Sequence, residues 1–166
     1  MSKVYVGIDP GKTGCVAKIT ECGVIFTDAE ELDLHLLGQY LTMESALPND
    51  VFVLIEKAQV MPKIRRRRTT AGIIEEPSGQ GAVGMFNYGI GYGKYLGMLE
   101  SLQISHAEIH SISWKKEFSL IHQPKERSIQ VAIQLFPQTA DRLKRKKDHG
   151  RAEALLIAEY ARRKNM

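Results

Sequence analysis

Acidic residues that end apolar runs are where this sequence could do chemistry. Asp9 closes the run that begins at Lys3 and is followed by Pro10 and Gly11, and Glu56 closes the run that begins at Val51. Asp148 and Glu153 stand at the start of a C-terminal segment rich in alanine and leucine. Charge beside buried apolar packing is costly unless it is paired or bound to a metal. Oxygen donors of this number suit Mg2+ or Mn2+, which keep several waters and bridge phosphates. Two such ions about 3.5–4 Å apart would activate water and stabilise the leaving oxygen of an in-line attack. Asp before Pro-Gly also starts turns, so the first motif alone leaves both roles open. A P-loop at Gly11, Lys12 and Thr13 is excluded, because that motif needs glycine where Val6 stands and a helix where the residues after Gly14 are strand-like.

The elements that must position these acids follow from hydrophobic periodicity. Residues 3–19 predict a β-hairpin with Asp9 at the end of its first strand, and residues 23–28 a third strand. Residues 29–46 predict an amphipathic helix, with Asp28 as N-cap and Leu32, Leu36, Leu37, Tyr40 and Leu41 on its apolar face. The continuous apolar run from Val51 to Glu56 predicts a buried central strand. From 57 to 80 periodicity is lost, and a long mobile loop is expected there. Residues 81–99 are compatible with a helix in which Gly89, Gly93 and Gly97 share one face, a pattern that fits close packing inside the monomer or a subunit interface. A strand near 106–112, a short helix from Ser113, an amphipathic helix at 125–135 and a final helix at 148–161 complete the reading. His35, His106, His110 and His122 are scattered and read as surface or core residues.

With 166 residues, 43% hydrophobic and 25% charged, the chain is expected to be a single domain spanning 1–166 with a real core. It has no apolar run of about 18 residues and no basic-then-apolar leader, so a membrane is not an expected partner and a cytoplasmic location is expected. Cys15 and Cys22 have neither CxxC spacing nor a flanking histidine pair, which argues against a zinc site and makes reduced structural thiols the expectation. The net charge is +4, and the positive charges cluster at Lys63, Arg65, Arg66, Arg67 and Arg68, at Lys115 and Lys116, and between Arg142 and Lys147. Clusters of this kind point to a nucleic-acid partner.

The motifs Gly7-Ile8-Asp9-Pro10-Gly11-Lys12-Thr13-Gly14, Leu54-Ile55-Glu56-Lys57 and Asp148-His149-Gly150-Arg151-Ala152-Glu153-Ala154 resemble, in order and spacing, those of the RuvC-type Holliday junction resolvases, most closely their phage- or plasmid-borne relatives. The glycine-rich stretch from Gly81 to Leu99 and the Lys115-Lys116 pair are similar too, so the resemblance covers nearly the whole chain. It implies an α/β fold of the ribonuclease-H-like type, a mixed sheet flanked by helices. It also implies a homodimer that nicks four-way or related branched DNA in pairs, leaving 5′-phosphate ends, in recombination or phage DNA processing, in the host cytoplasm if phage-encoded. Asp9, Glu56 and Glu153 map onto the family's catalytic acids, with two Mg2+ or Mn2+ ions per site. Bacterial members usually carry an acid pair or a histidine three residues apart on the last helix, whereas position 150 here is Gly150. Asp148 is then the favoured fourth ligand and His149 the alternative or a close neighbour, while Asp148 could instead cap the helix. Candidate DNA contacts are Lys63, Arg65, Arg66, Arg67, Arg68, Phe86, Lys115, Lys116, Lys125 and Arg151. Other readings are an actin-like ATPase fragment, although that fold needs two such domains, and a junction-binding protein without cleavage.

Overall fold

A computed structural model describes residues 3–11, 14–28, 38–39, 41, 50–58, 64–70, 72–77 and 82–166. Strands β1 (Val4–Asp9), β2 (Cys15–Thr20) and β3 (Gly23–Asp28) form an antiparallel meander, and β4 (Val51–Glu56) and β7 (Ser105–Ile109) extend it. The resulting five-stranded sheet has the order β3-β2-β1-β4-β7, with β1 parallel to β4 and β4 parallel to β7. Helices α1 (Ala82–Ser101), α2 (Ser111–Glu117), α3 (Glu126–Leu135) and α4 (His149–Arg163) lie in the second half of the chain. The predicted helix at 29–46 lies largely outside the described residues; within it, Leu41 is helical and fully buried. Among the described residues no helix is long and apolar enough to cross a membrane.

Period-two alternation sorts the strands' side chains onto two faces. Val4, Val6 and Ile8 join Val16, Val51, Val53 and Ile55 in one cluster, which is covered by Tyr95 and Leu99 of α1. Tyr5 joins Cys15, Ala17 and Leu54 in the other, which is covered by α4 and by Trp114 and Ala132. The central strands are therefore apolar on both faces, which is why β4 reads as an unbroken hydrophobic run.

Residues 57–80, expected to be an irregular loop, contain a hairpin instead. Strands β5 (Ile64–Thr69) and β6 (Gly72–Pro77) pair antiparallel as a separate two-stranded sheet. The register sets Arg65 opposite Glu76 and Arg66 opposite Glu75. Gly72 makes the turn possible with a φ of +126°, which side chains rarely adopt, and Thr69 Oγ1 donates to its carbonyl oxygen at 3.0 Å. The arginine run hid this hairpin because it has none of the apolar alternation by which strands are recognised.

The start of β1 is bonded to Asn165 and Met166, just beyond α4. Lys3 Nζ donates to the carbonyl oxygen of Met166, and Tyr5 Oη donates to Asn165 Oδ1 at 3.4 Å.

Helix α4 lies directly on β1. A methyl group on Gly7 would overlap the carbonyl oxygen of Ala154 and the backbone nitrogen of Ala158. Backbone cannot rotate away as a side-chain tip can, so Gly7→Ala must lift the helix. We expect a loss of about 1–3 kcal/mol in urea denaturation, the usual cost of overpacking a core.

Candidate active site

Three acids are brought together by strand register and one helix contact. Parallel pairing of β1 with β4 aligns Ile8 with Ile55, so the next residues, Asp9 and Glu56, end adjacent strands side by side. Alternation turns both toward the face that α4 covers, since Tyr5 and Leu54 lie there. On α4, Glu153 immediately precedes Ala154, the residue seated against Gly7. Glu153 therefore arrives beside Asp9, and its charge acts on both Asp9 and Glu56.

The electrostatics are those of an anionic centre short of cations. Burial pushes the Asp9 carboxyl above its ordinary range; the Gly11 N–H, donating to Oδ1 at 3.0 Å, opposes this, Glu153 adds to it, and His149 and Lys115 counter it. Burial also raises Glu56, against a hydrogen bond from Trp114 Nε1 to Oε2 at 2.7 Å and the charge of Lys115, while Asp9 and Glu153 push it up further. Lys115 Nζ stands 3.6 Å from Glu153. Tyr88 of α1, half-buried, has its phenol raised by burial and then by the charges of Asp9 and Glu56.

His149, at the start of α4, also faces Asp9. Its Nε2 lies 3.1 Å from Lys125 Nζ and its Nδ1 lies 3.2 Å from the carbonyl oxygen of Lys146. Between Glu153, Lys115 and Lys125 opens a cavity of about 210 Å³, also lined by Leu120, Gln123, Pro124 and Ser128.

Asp148, the favoured fourth ligand, is placed elsewhere. It is buried, its Oδ2 accepts the Arg145 backbone N–H at 2.8 Å, and its Oδ1 accepts from Arg145 Nη2 at 2.8 Å. Burial opposes its charge, but these bonds and Arg151 hold its carboxyl below the usual range. It closes a capping box on the single turn Lys146–Asp148 and makes no side-chain cap on α4. His149 is the neighbouring residue whose charge acts on Asp9. Arg151, expected on DNA, is turned inward as well. Its guanidinium grips Asp28 at the end of β3 through Nε and Nη2 and lies 3.8 Å from Asp148, so it pins α4 to the sheet.

The other expected DNA contacts are spread over the surface. Arg68, Phe86, Lys116 and Lys125 are exposed and Lys115 is half-buried. Arg65, Arg66 and Arg67 lie on β5, and Lys63 lies outside the described residues. Trp114 and Tyr88 escaped the sequence reading, which also gave Lys115 to DNA and not to the acids. The one available signal for Trp114 was a lone tryptophan beside a lysine.

Among the described residues no group of three or more His, Cys, Asp or Glu forms a ready-made metal cage. Mg2+ does not demand one, since it retains waters and takes one or two carboxylates together with substrate phosphate. Asp9, Glu56 and Glu153 could supply donors of that kind, and His149 could join them once its Nε2 is released by Lys125.

A five-stranded mixed sheet of this order, with acids at the ends of its two central strands and on the closing helix, defines a ribonuclease-H-like fold. Solved structures bear this out. Thermus thermophilus RuvC in complex with a Holliday junction substrate matches with a TM-score of 0.57 and 14% identity over 98% of this chain and 96% of that one. A second T. thermophilus RuvC structure matches with a TM-score of 0.54 and 18% identity over the same shares. Among curated proteins, the chloroplastic Holliday junction resolvase MOC1 of Chlamydomonas reinhardtii is 30% identical in a 134-position alignment that covers 77% of this chain. The chain spans only 14% of the length of that relative. No protein-family model matches the chain.

Two expectations follow from the site. Asp9's carboxyl is raised above its ordinary value of 3.8, so in metal-free protein folding favours the protonated acid. That contribution is complete below the unfolded value and is lost as pH rises through the folded one. Asp9→Asn should therefore raise the Tm of EDTA-treated protein at pH 7.5, by about 2–4 °C per kcal/mol relieved, and the gain should shrink at pH 4. Asp148→Asn should instead lower stability by about 1–3 kcal/mol, as expected when buried donors lose their acceptor. Calorimetry should find its Mn2+ affinity unchanged.

Proposed function

We propose that this chain is a metal-dependent, structure-selective DNA endonuclease that resolves four-way junctions by paired nicking, in recombination or phage DNA processing. The observation that carries the reading is the convergence of Asp9, Glu56 and Glu153 at one edge of the sheet, with Lys115 beside them.

In this reading Asp9, Glu56, Glu153 and His149 hold one or two Mg2+ or Mn2+ ions. When bound, such ions activate water and stabilise the leaving oxygen of an in-line displacement. Water oxygen attacks the phosphorus, the bond to the 3′ oxygen breaks, and a 5′-phosphate and a 3′-hydroxyl remain. Lys115 and Lys125, which line the cavity beside Glu153, bind the phosphates on either side of the cut. Arg68 and the rest of the β5–β6 hairpin contact more distant phosphates.

Paired nicking needs two sites related by a two-fold axis. The surface of α1 suits such an interface: Val83, Met85, Phe86 and Ile90 are exposed, and among the described residues nothing lies within 4 Å of where a Cβ on Gly89, Gly93 or Gly97 would stand. This favours a homodimer in which the glycine face meets a second copy of the chain.

The test is incubation of a labelled four-way junction, and of a linear duplex of the same sequence, with protein and Mg2+. We expect paired nicks bearing 5′-phosphates in the junction alone. Glu153→Gln should reduce cleavage more than about 100-fold, beyond the effect of outer-shell changes, while junction binding persists. Excess Glu153→Gln protein mixed with wild type should give singly nicked product if the active form is a dimer. Binding without cleavage would favour a junction-binding protein, and ATP turnover an actin-like ATPase.

A further inference from the structure

Trp114 is the chain's single tryptophan and has no solvent exposure. It sits in α2 and belongs to the core cluster that includes Phe118 and Leu155. Its indole N–H, which can only donate, bonds to Glu56 Oε2 at 2.7 Å. A buried indole needs an acceptor, but a backbone carbonyl would serve without placing a charge at the edge of the core. Here the acceptor is one of the three clustered acids.

Glu56 is the acid that most needs holding. Asp9 and Glu153 both repel it, and its side chain has three torsions through which it could swing away. The ring that grips it is locked by core packing. The next residue of the same helix, Lys115, lies 3.6 Å from Glu153 with its ammonium 5.0 Å from the Trp114 ring centroid. Two successive residues of α2 thus engage two of the three acids, one through a hydrogen bond and one through charge.

We propose that Trp114 is a positioning residue: its indole, fixed by the core, holds Glu56 against the repulsion of Asp9 and Glu153 in the orientation that receives a divalent cation. The proposal rests on the metal-dependent reading above. The indole bond engages only Oε2, so the same carboxylate retains a second oxygen for the ion.

The test uses Mn2+ alone, without DNA. Calorimetric titration of wild type, Trp114→Phe, Glu56→Gln and the double variant, each checked for native circular dichroism, forms a double-mutant cycle. Trp114→Phe should weaken Mn2+ binding about 10- to 100-fold, as loss of an outer-shell partner does, and should lower kcat on junctions with little change in KM. The double variant should bind no worse than Glu56→Gln, since Trp114 acts through Glu56. In wild type, Trp114 emission should respond to Mn2+ with the calorimetric midpoint, and Glu56→Gln should abolish the response, a readout that survives if Trp114→Phe does not fold. Unchanged Mn2+ affinity in Trp114→Phe, additive losses in the double variant, or wild-type emission indifferent to saturating Mn2+ would overturn this inference alone. A wild type that binds no Mn2+ would overturn the metal reading and this inference with it.

Discussion

The contact of helix α4 with strand β1 at Gly7 is the constraint on which the site depends. Because no side chain stands at position 7, the backbone of Ala154 and Ala158 rests on the backbone of the strand. The side of α4 that meets β1 accordingly carries the small residues Ala154, Ala158 and Ala161, all fully buried. The contact fixes the height of the helix above the sheet, and the grip of Arg151 on Asp28 holds its N-terminal turn to β3. Glu153, between these two anchors, has little freedom in where it meets Asp9. A carboxylate that must share an ion with groups from other elements needs such rigid support, since displacements of about 0.5 Å already degrade a site of this kind.

This precision is set against an electrostatic cost. Asp9 and Glu56 are raised by burial before any neighbour is counted, and neighbouring carboxylates raise them further, Glu153 in the case of Asp9, and Asp9 and Glu153 in the case of Glu56. The opposing influences are local: the Gly11 N–H and His149 for Asp9, the Trp114 indole for Glu56 and the Lys115 ammonium for both. These do not offset the burial of three clustered acids, and a divalent cation would close the deficit. The fold thus carries an unfavourable interaction at the place where chemistry is proposed and satisfies its polar groups elsewhere; among the described residues no buried side-chain polar atom lacks a partner.

Much of this was legible in the chain itself. The hairpin ending at Asp9, the buried strand ending at Glu56 and the final helix carrying Glu153 all show through apolar periodicity, because each buries at least one continuous face. What remained hidden depends on partners far away in sequence. Arg151 looks like one more charge in a basic stretch, and only folding brings Asp28 to it across 123 residues. Asp148 and His149 differ by one position, and which of them faces Asp9 depends on where a single 3-10 turn gives way to α4, a boundary too fine for periodicity to mark. Strand β5 escaped because its run of arginines has no apolar face, and Trp114 because a buried tryptophan ordinarily signals packing and not a bond to an acid 58 residues earlier.

The bond from Lys3 to Met166 has a mechanical consequence. Lys3 reaches the carbonyl of Met166 at the beginning of β1, whereas Asp9 lies at its far end, about 20 Å away for a strand of six residues. Between them Gly7 seats the backbone of Ala154 and Ala158. Strand β1 and the last helix are thus laced together along the strand's whole length, the helix running antiparallel to it. The pair behaves as one stiff beam whose far end carries Asp9 and Glu153, so a strain applied at either element moves both acids together and leaves their separation unchanged.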